Sequence, residues 1–390
     1  MSSEESFNQS DLKKRLYELT QDSNALVVTN ALQVLDEIEP EGVKFTAGMI
    51  TMLLNRMKEF NEFGQGIILD IVSRYKPGSK EETLNIMNVL EERFKNASAV
   101  VVLATVKIFL NYAKIMSDIA MQVYERLISP LIILMSGGES NSNYEQVFVV
   151  LSHIKLLTAA GVAGEFESEF KLFFCNDSDP GYIKTLKLEM LVMIANESNL
   201  QQIVDELGHY VIDVDADLAR KAIQSIGKMA VRLSKMSRPI CYHLRTFLQH
   251  NIDYISTETV ITLKDVLRAY PEYITEFISS MDQSAELVQD EDGRAALMWI
   301  LGEFGDTGQI ERAPYLLEDM FDQLSEIDSP YLSNHMLTAT AKLFFKRPGE
   351  TYPLLKKVIA TYSKPGVNPD THDKALFYYR LLKSDPEAAK

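Results

Sequence analysis

The sequence predicts an all-α fold, a single curved α-solenoid of helical hairpin repeats. Helix starts marked by an acidic or amide residue recur at intervals near 40 residues, and second amphipathic segments fill the space between them. Strand-like alternation is nearly absent, and no hairpin turn signal is found.

The elements follow in chain order. Residues 1–10, MSSEESFNQS, are polar and acidic and are expected to be disordered, with the solenoid trunk running over residues 11–390. Asp22 opens DSNALVVTNALQVL and Asn96 opens NASAVVVLATVKIFL, 74 residues on, which is two periods of 37. Later starts stand at Asp179 (DPGYIKTLKLEMLVMIA), Asp213 and Asp253 (DYISTETVITLKDVL). They continue at Asp290 (DEDGRAALMWILGEF), Asp328 (DSPYLSNHMLTATAKLFF) and Asp370 (DTHDKALFYYRLL), at intervals of 34, 40, 37, 38 and 42 residues. Tyr315–Leu324 and Tyr352–Ile359 are examples of the intervening second helices. The polar break SGGESNSNYE at 136–145 reads as a loop within the array. Two helices per period of about 40 residues is the pattern of HEAT and armadillo arrays, in which neighbouring repeats bury one another's apolar stripes.

One start looks at first like a metal loop. Asp213, Asp215 and Asp217 alternate as in a calcium-binding loop, but the sixth and twelfth places hold Leu218 and Gln224, not the required Gly and Glu. The helical reading fits instead. Leu218, Ala222, Ile226, Met229 and Leu233 share one face, and aspartate suits a helix cap and the positive end of the dipole.

Composition narrows the function. Of 390 residues, 55 are Asp or Glu and 39 are Lys or Arg, a net charge of −16 that repels nucleic acid as a whole. Two distant cysteines, Cys175 and Cys241, without a C-x-x-C, argue against a disulfide framework or zinc site and fit a reducing cytosol. The apolar run Ala99–Phe109 is interrupted by Lys107, and nothing approaches a membrane span. Phosphate-binding glycine loops and the G-x-S-x-G elbow are missing. None of the six histidines has a second one three or four residues away, and Cys241 and His243 read as a packed thiol beside a surface or capping imidazole. No catalytic residue, cofactor site or metal site is expected.

Two surfaces are candidates for binding. Lys221, Lys228, Arg232 and Lys235 are spaced as one exposed row on the helix after Asp213, either a solvated rim or a contact for an anionic membrane or acidic partner. In KALFYYRLLKSDPEAAK, Ala375, Tyr379 and Leu382 form a stripe toward the preceding repeat, while Phe377, Tyr378 and Leu381 lie off it. That leaves a face expected to be covered either by chain following Lys390 or by a partner subunit, unless the loop at Tyr362–Pro369 folds over these rings.

Several stretches together resemble the trunk of a β-type large subunit of the heterotetrameric adaptor-protein complexes. They include Asp22–Ala31, Phe63-Gly-Gln65 leading to Tyr75-Lys-Pro77, Ala99–Ala104 and Phe173-Phe-Cys175 with Asp179-Pro180 and Tyr182-Ile-Lys184. The series continues with Val214-Asp215, Arg220-Lys-Ala222, Ile226-Gly227, Trp299-Ile-Leu-Gly-Glu303, Tyr379-Arg-Leu-Leu382 and Asp385-Pro386. Ala313–Asp319 and Leu376–Leu382 look most like the β subunit of the fourth adaptor complex. Phe63 departs from the pattern, since other members often carry Trp there. The first helical repeats, the hinge and the appendage of the family are also expected to lie outside these 390 residues.

The resemblance implies a non-enzymatic coat subunit that sorts transmembrane cargo on the cytosolic face of trans-Golgi or endosomal membranes. It further implies medium, small and second large adaptor subunits as partners, with recruitment by an Arf-type GTPase and membrane contact through the complex. The rival expectations are a helical-repeat scaffold of another kind, such as a phosphatase scaffold or nuclear transport receptor, and an enzyme with a site between repeats.

Overall fold

The computed structural model describes residues 12–38, 45–116, 118–138, 144–213, 215–284, 286–306, 310–324 and 329–384. The expectations for residues 1–10, Asp328 and Asp385-Pro386 lie outside this set, as do residues 139–143 of the 136–145 break, whose remaining residues belong to the flanking helices and not to a loop. Among the described residues every regular element is a helix. The chain packs as two compact units, Met1–Leu172 and Phe173–Lys390.

The first unit begins with α1 (12–19), α2 (Ala25–Ile38), α3 (Ala47–Asn55) and α4 (Glu62–Arg74). It continues with α5 (Lys80–Glu91), α6 (Ala99–Ile115), α7 (Ala120–Gly138) and α8 (Tyr144–Leu157). Helices α2, α4 and α6 pack side by side as one layer, with α3 on α5 in the other. Contrary to the expectation that nothing approaches a membrane span, the stretch Tyr144–Phe166 is 23 residues long and apolar enough to cross a bilayer by length and composition. Gly161, at φ 106°, breaks its axis, and Val150, Leu151, Ile154 and Phe166 are buried in the unit's core. Only part of the stretch is covered, since Phe148 and Leu156 stay exposed.

The second unit holds α9 (Gly181–Ile194), α10 (Leu200–Val211), α11 (Ala216–Arg232), α12 (Ser237–Leu248) and α13 (Asp253–Ala269). It then adds α14 (Ile274–Ser284), α15 (Glu291–Phe304), α16 (Ala313–Leu324), α17 (Pro330–Lys346), α18 (Pro348–Tyr362) and α19 (Pro369–Ser384). The odd-numbered helices stack successively in one layer, while α10, α12 and α14, and then α16 and α18, form the other. Each hairpin contributes one helix to each layer.

Helix starts use the marked residues in more than one way. Asp215 is a true N-cap: its Oδ1 accepts from the backbone N–H of Asp217 at 3.0 Å and of Leu218 at 3.2 Å, while Asp213 accepts from the N–H of Asp215. Asp22, Asn96 and Asn368 instead make tight turns just before their helices, each accepting from the N–H two residues on. Asp253 and Asp370 lie inside the first turn, where they face the positive end of the dipole. The helix after Asp179 corrects the expectation. Pro180 occupies the cap position of α9 without a side-chain bond, and Asp179 turns inward to Lys187.

Successive repeats are tied at the helix C-termini, where the last carbonyls lack partners within the helix. Tyr112 Oη donates to the Val72 carbonyl (3.1 Å) and Asn111 Nδ2 to that of Ser73 (3.2 Å), joining α6 to the end of α4. Arg232 donates to the carbonyls of Met193 (2.8 Å) and Ala195, and Tyr270 Oη to that of Val231 (3.0 Å). Lys346 does the same for Glu303. In each case the donor lies about one period after its acceptor.

Small residues set the closest helix approaches. A Cβ on Gly227 of α11 would lie 2.1 Å from Thr262 Cγ2 of α13, and one on Gly302 of α15 would lie 2.8 Å from the Ala339 Cα of α17. Glycine is required at both by contact with the next repeat.

Candidate interaction surfaces

On α19 only Thr371 and Ala375 are buried. The helix is held at its start by Lys374, whose ammonium donates to the Asn334 carbonyl at 2.9 Å and whose pKa is lowered by burial. Of the expected inward stripe, Ala375 packs against the unit, but Tyr379 is 50% exposed and Leu382 is half-buried. Two open flanks result. One is a groove of about 610 Å³ between α18 and α19, floored by Phe344 of α17 and bordered by Tyr379 and Leu382. The other carries Phe377 and Leu381 with Asp373, Arg380 and Ser384. Phe377 is 59% exposed, so the loop at 362–369 leaves this ring open. Tyr378 stacks obliquely on it, with ring centroids 5.7 Å apart, and is half-buried like Leu381. Tyr362, at the start of that loop, packs edge-on against Phe321 instead.

The four cations after Asp213 are all exposed, but they do not form one helical row. Helix α11 ends at Arg232, and Lys235 sits on the following 3₁₀ turn. Three of the four act within the unit: Lys221 donates to Thr185 Oγ1 (2.7 Å), Arg232 caps the end of α9, and Lys235 pairs with Glu197 (2.9 Å). Lys228 borders a shallow pocket with Glu258 and Asp265, which tempers its positive field.

The buried polar groups were not found by sequence. Lys187 is 1% exposed and its Nζ donates to Asp179 Oδ2 at 2.7 Å and to the Phe174 carbonyl at 3.0 Å. Its signal was present, because Lys187 interrupts the stripe Ile183, Met190 and Ile194. Glu258 accepts from Gln224 Nε2 at 2.9 Å, and burial raises its carboxyl pKa. Trp299 lies between Arg268 and Lys342, with its ring centroid 5.9 and 6.0 Å from the two cations. Burial pushes both thiols, Cys175 and Cys241, up to about 12, so neither ionises at neutral pH. Cys241 is buried as the spacing suggested, whereas the His243 ring is half-buried, with its Nε2 3.7 Å from Asp205. Among the described residues no group of three His, Cys, Asp or Glu side chains could hold a metal.

Comparison with known proteins agrees with this arrangement. The family model described as "Adaptin N terminal region" matches residues 2–386. The "Beta-adaptin-like protein A" of Arabidopsis thaliana is 39% identical over 95% of this chain, and the "AP-4 complex subunit beta" of Dictyostelium discoideum is 32% identical over 97%. The chain spans 44% and 48% of the lengths of these two relatives. In fold it is similar to a chain of a homology model of the full-length AP-3 complex, with a TM-score of 0.61 and 16% identity over 95% of this chain and 68% of that one. With the family model matched along nearly the whole sequence and β-type relatives on either side, the chain belongs to the adaptin N-terminal region family.

Proposed function

We propose that this chain is the trunk of a β-type adaptor subunit, a non-enzymatic helical scaffold in a vesicle coat that sorts cargo for intracellular protein transport. The observation that carries the proposal is the 39% and 32% identity to β-type relatives, one of them named as a subunit of the fourth adaptor complex. A scaffold of stacked hairpins without a metal cluster among the described residues, and with both thiols held protonated, suits a binding role.

In this proposal the partners are medium, small and second large adaptor subunits, with recruitment by an Arf-type GTPase to trans-Golgi or endosomal membranes. The medium subunit covers Phe377, Tyr378 and Leu381, since the open aromatic flank of α19 is an apolar surface of the kind partners cover. Affinity capture of the tagged chain from cells tests the whole assignment: recovery of the other three subunits supports it. Recovery of a phosphatase catalytic chain or a Ran-type GTPase in their place refutes it. Phe377→Ser with Leu381→Ser should weaken medium-subunit capture while the helical signal stays intact, and undiminished capture removes this surface from the interface.

Contact of Lys221, Lys228, Arg232 and Lys235 with an anionic surface belongs to the same proposal in a narrower form. Because three of these side chains brace neighbouring elements, only Lys228 is available without breaking an internal bond. Lys228→Glu should reduce binding of the assembled complex to phosphatidylserine vesicles at low salt, with an unchanged melting temperature. Equal binding would leave the cations as internal braces.

A further inference from the structure

We propose that the groove between α18 and α19 is a docking site for an acidic amphipathic helix of a partner chain. This site lies on the flank of α19 away from Phe377 and Leu381, with Leu376 bordering both flanks, and goes beyond the assembly proposed above. Leu355 and Ile359 of α18 form one wall and Leu376 and Tyr379 of α19 the other, over the ring of Phe344. The volume of about 610 Å³ is that of a ligand site able to take several aliphatic side chains.

Charge specifies the occupant. In a chain of net charge −16, no carboxylate lines the groove among the described residues, and a lysine stands on each wall, Lys356 on α18 and Lys383 on α19. Both are exposed, and no ion pair engages either ammonium among the described residues; the nearby Lys357 is the one that pairs with Asp322. Lys383 Nζ lies 5.9 Å from the centroid of Tyr379, poised over the groove's edge. An apolar floor between two cations is complementary to a leucine stripe flanked on both sides by Asp or Glu.

The walls also specify the secondary structure. Both are helices, whose backbone groups are already bonded, so an extended peptide would find no strand edge to pair with and would lay unmet N–H and C=O groups against apolar side chains. A helix satisfies its own backbone and presents anchors at i, i+3, i+4 and i+7.

The test uses the full 390-residue chain and a labelled designed peptide with leucines at helical spacing and glutamates on both flanks. Its comparators are the same peptide with lysine flanks and a scrambled version. Fluorescence anisotropy should show saturable binding of the glutamate peptide alone, weakening as salt rises. Lys356→Glu with Lys383→Glu should reduce affinity about tenfold at low salt, and Tyr379→Ser should reduce it as well. Phe377→Ser with Leu381→Ser should leave it unchanged, which separates this site from the proposed medium-subunit face. No binding, equal binding of the lysine-flanked peptide, or indifference to the charge reversal in a chain of normal helicity would overturn the proposal. A change of oligomeric state on charge reversal, without loss of peptide binding, would assign the groove to self-association and overturn it too.

Discussion

Lys187 shows how much depends on one partner choice at the residue scale. With Asp179 it forms an ion pair from which water is nearly excluded, and the Phe174 carbonyl accepts a second hydrogen bond from the ammonium. Lys187→Ala leaves a buried carboxylate without its cation and should cost about 3–5 kcal/mol, read as a lower urea midpoint at constant slope. Adding Asp179→Asn should recover part of that loss, because the uncompensated charge goes with it. Glu258 gives a pH-dependent counterpart. Burial raises its pKa, so in the window between the unfolded value and the higher folded value the native state binds more protons. Stability contributed by this group therefore falls as pH rises through that window. Glu258→Gln should flatten the fall and raise the melting temperature at neutral pH, and a variant less stable than the parent there would refute this. Sequence placed a helix start among Asp213, Asp215 and Asp217, with Asp215 the cap in the structure, because capping needs only local backbone geometry. It missed the role of Asp179 because the same residue type, in the same kind of turn, is claimed by a lysine eight positions on.

Packing at the scale of the element is set by what the adjoining repeat brings. The face of α11 was legible, since Leu218, Ala222, Ile226 and Met229 are all buried. Its end was not: the apolar spacing runs on to Leu233, whereas the helix stops at Arg232 and displaces Lys235 from the row. Gly227 carries no periodic signal, yet it fixes how closely α11 and α13 approach. Gly227→Ala should destabilise the chain by about 1–3 kcal/mol through overpacking. Since the nearest atom is Thr262 Cγ2, Thr262→Ser in the same chain should restore much of the loss. A double mutant no more stable than Gly227→Ala alone would show that the constraint lies elsewhere.

For the whole molecule, the period near 40 was the most legible feature, because hairpins that bury one another must repeat their stripes at equal intervals. The division into Met1–Leu172 and Phe173–Lys390 was not legible. No proline- or glycine-rich linker marks it, and the change falls among the short turns after Gly161, where no regular stripe exists to read. Two compact units are expected to unfold in two steps. Calorimetry should give a total enthalpy above the van't Hoff value, and Lys187→Ala should shift one transition and leave the other in place. A single transition moved as a whole by that substitution would show that the units melt together.

The carbonyl ties between repeats also impose an order in time. Every donor named above follows its acceptor by 37 to 43 residues, from Arg232 and Ala195 to Lys346 and Glu303. A helix emerging from the ribosome therefore keeps its terminal carbonyls on water until roughly 40 more residues are made, a delay on the order of 2–8 s at ordinary elongation rates. At these four helix ends maturation runs one way along the chain, each end being finished by the repeat that follows it.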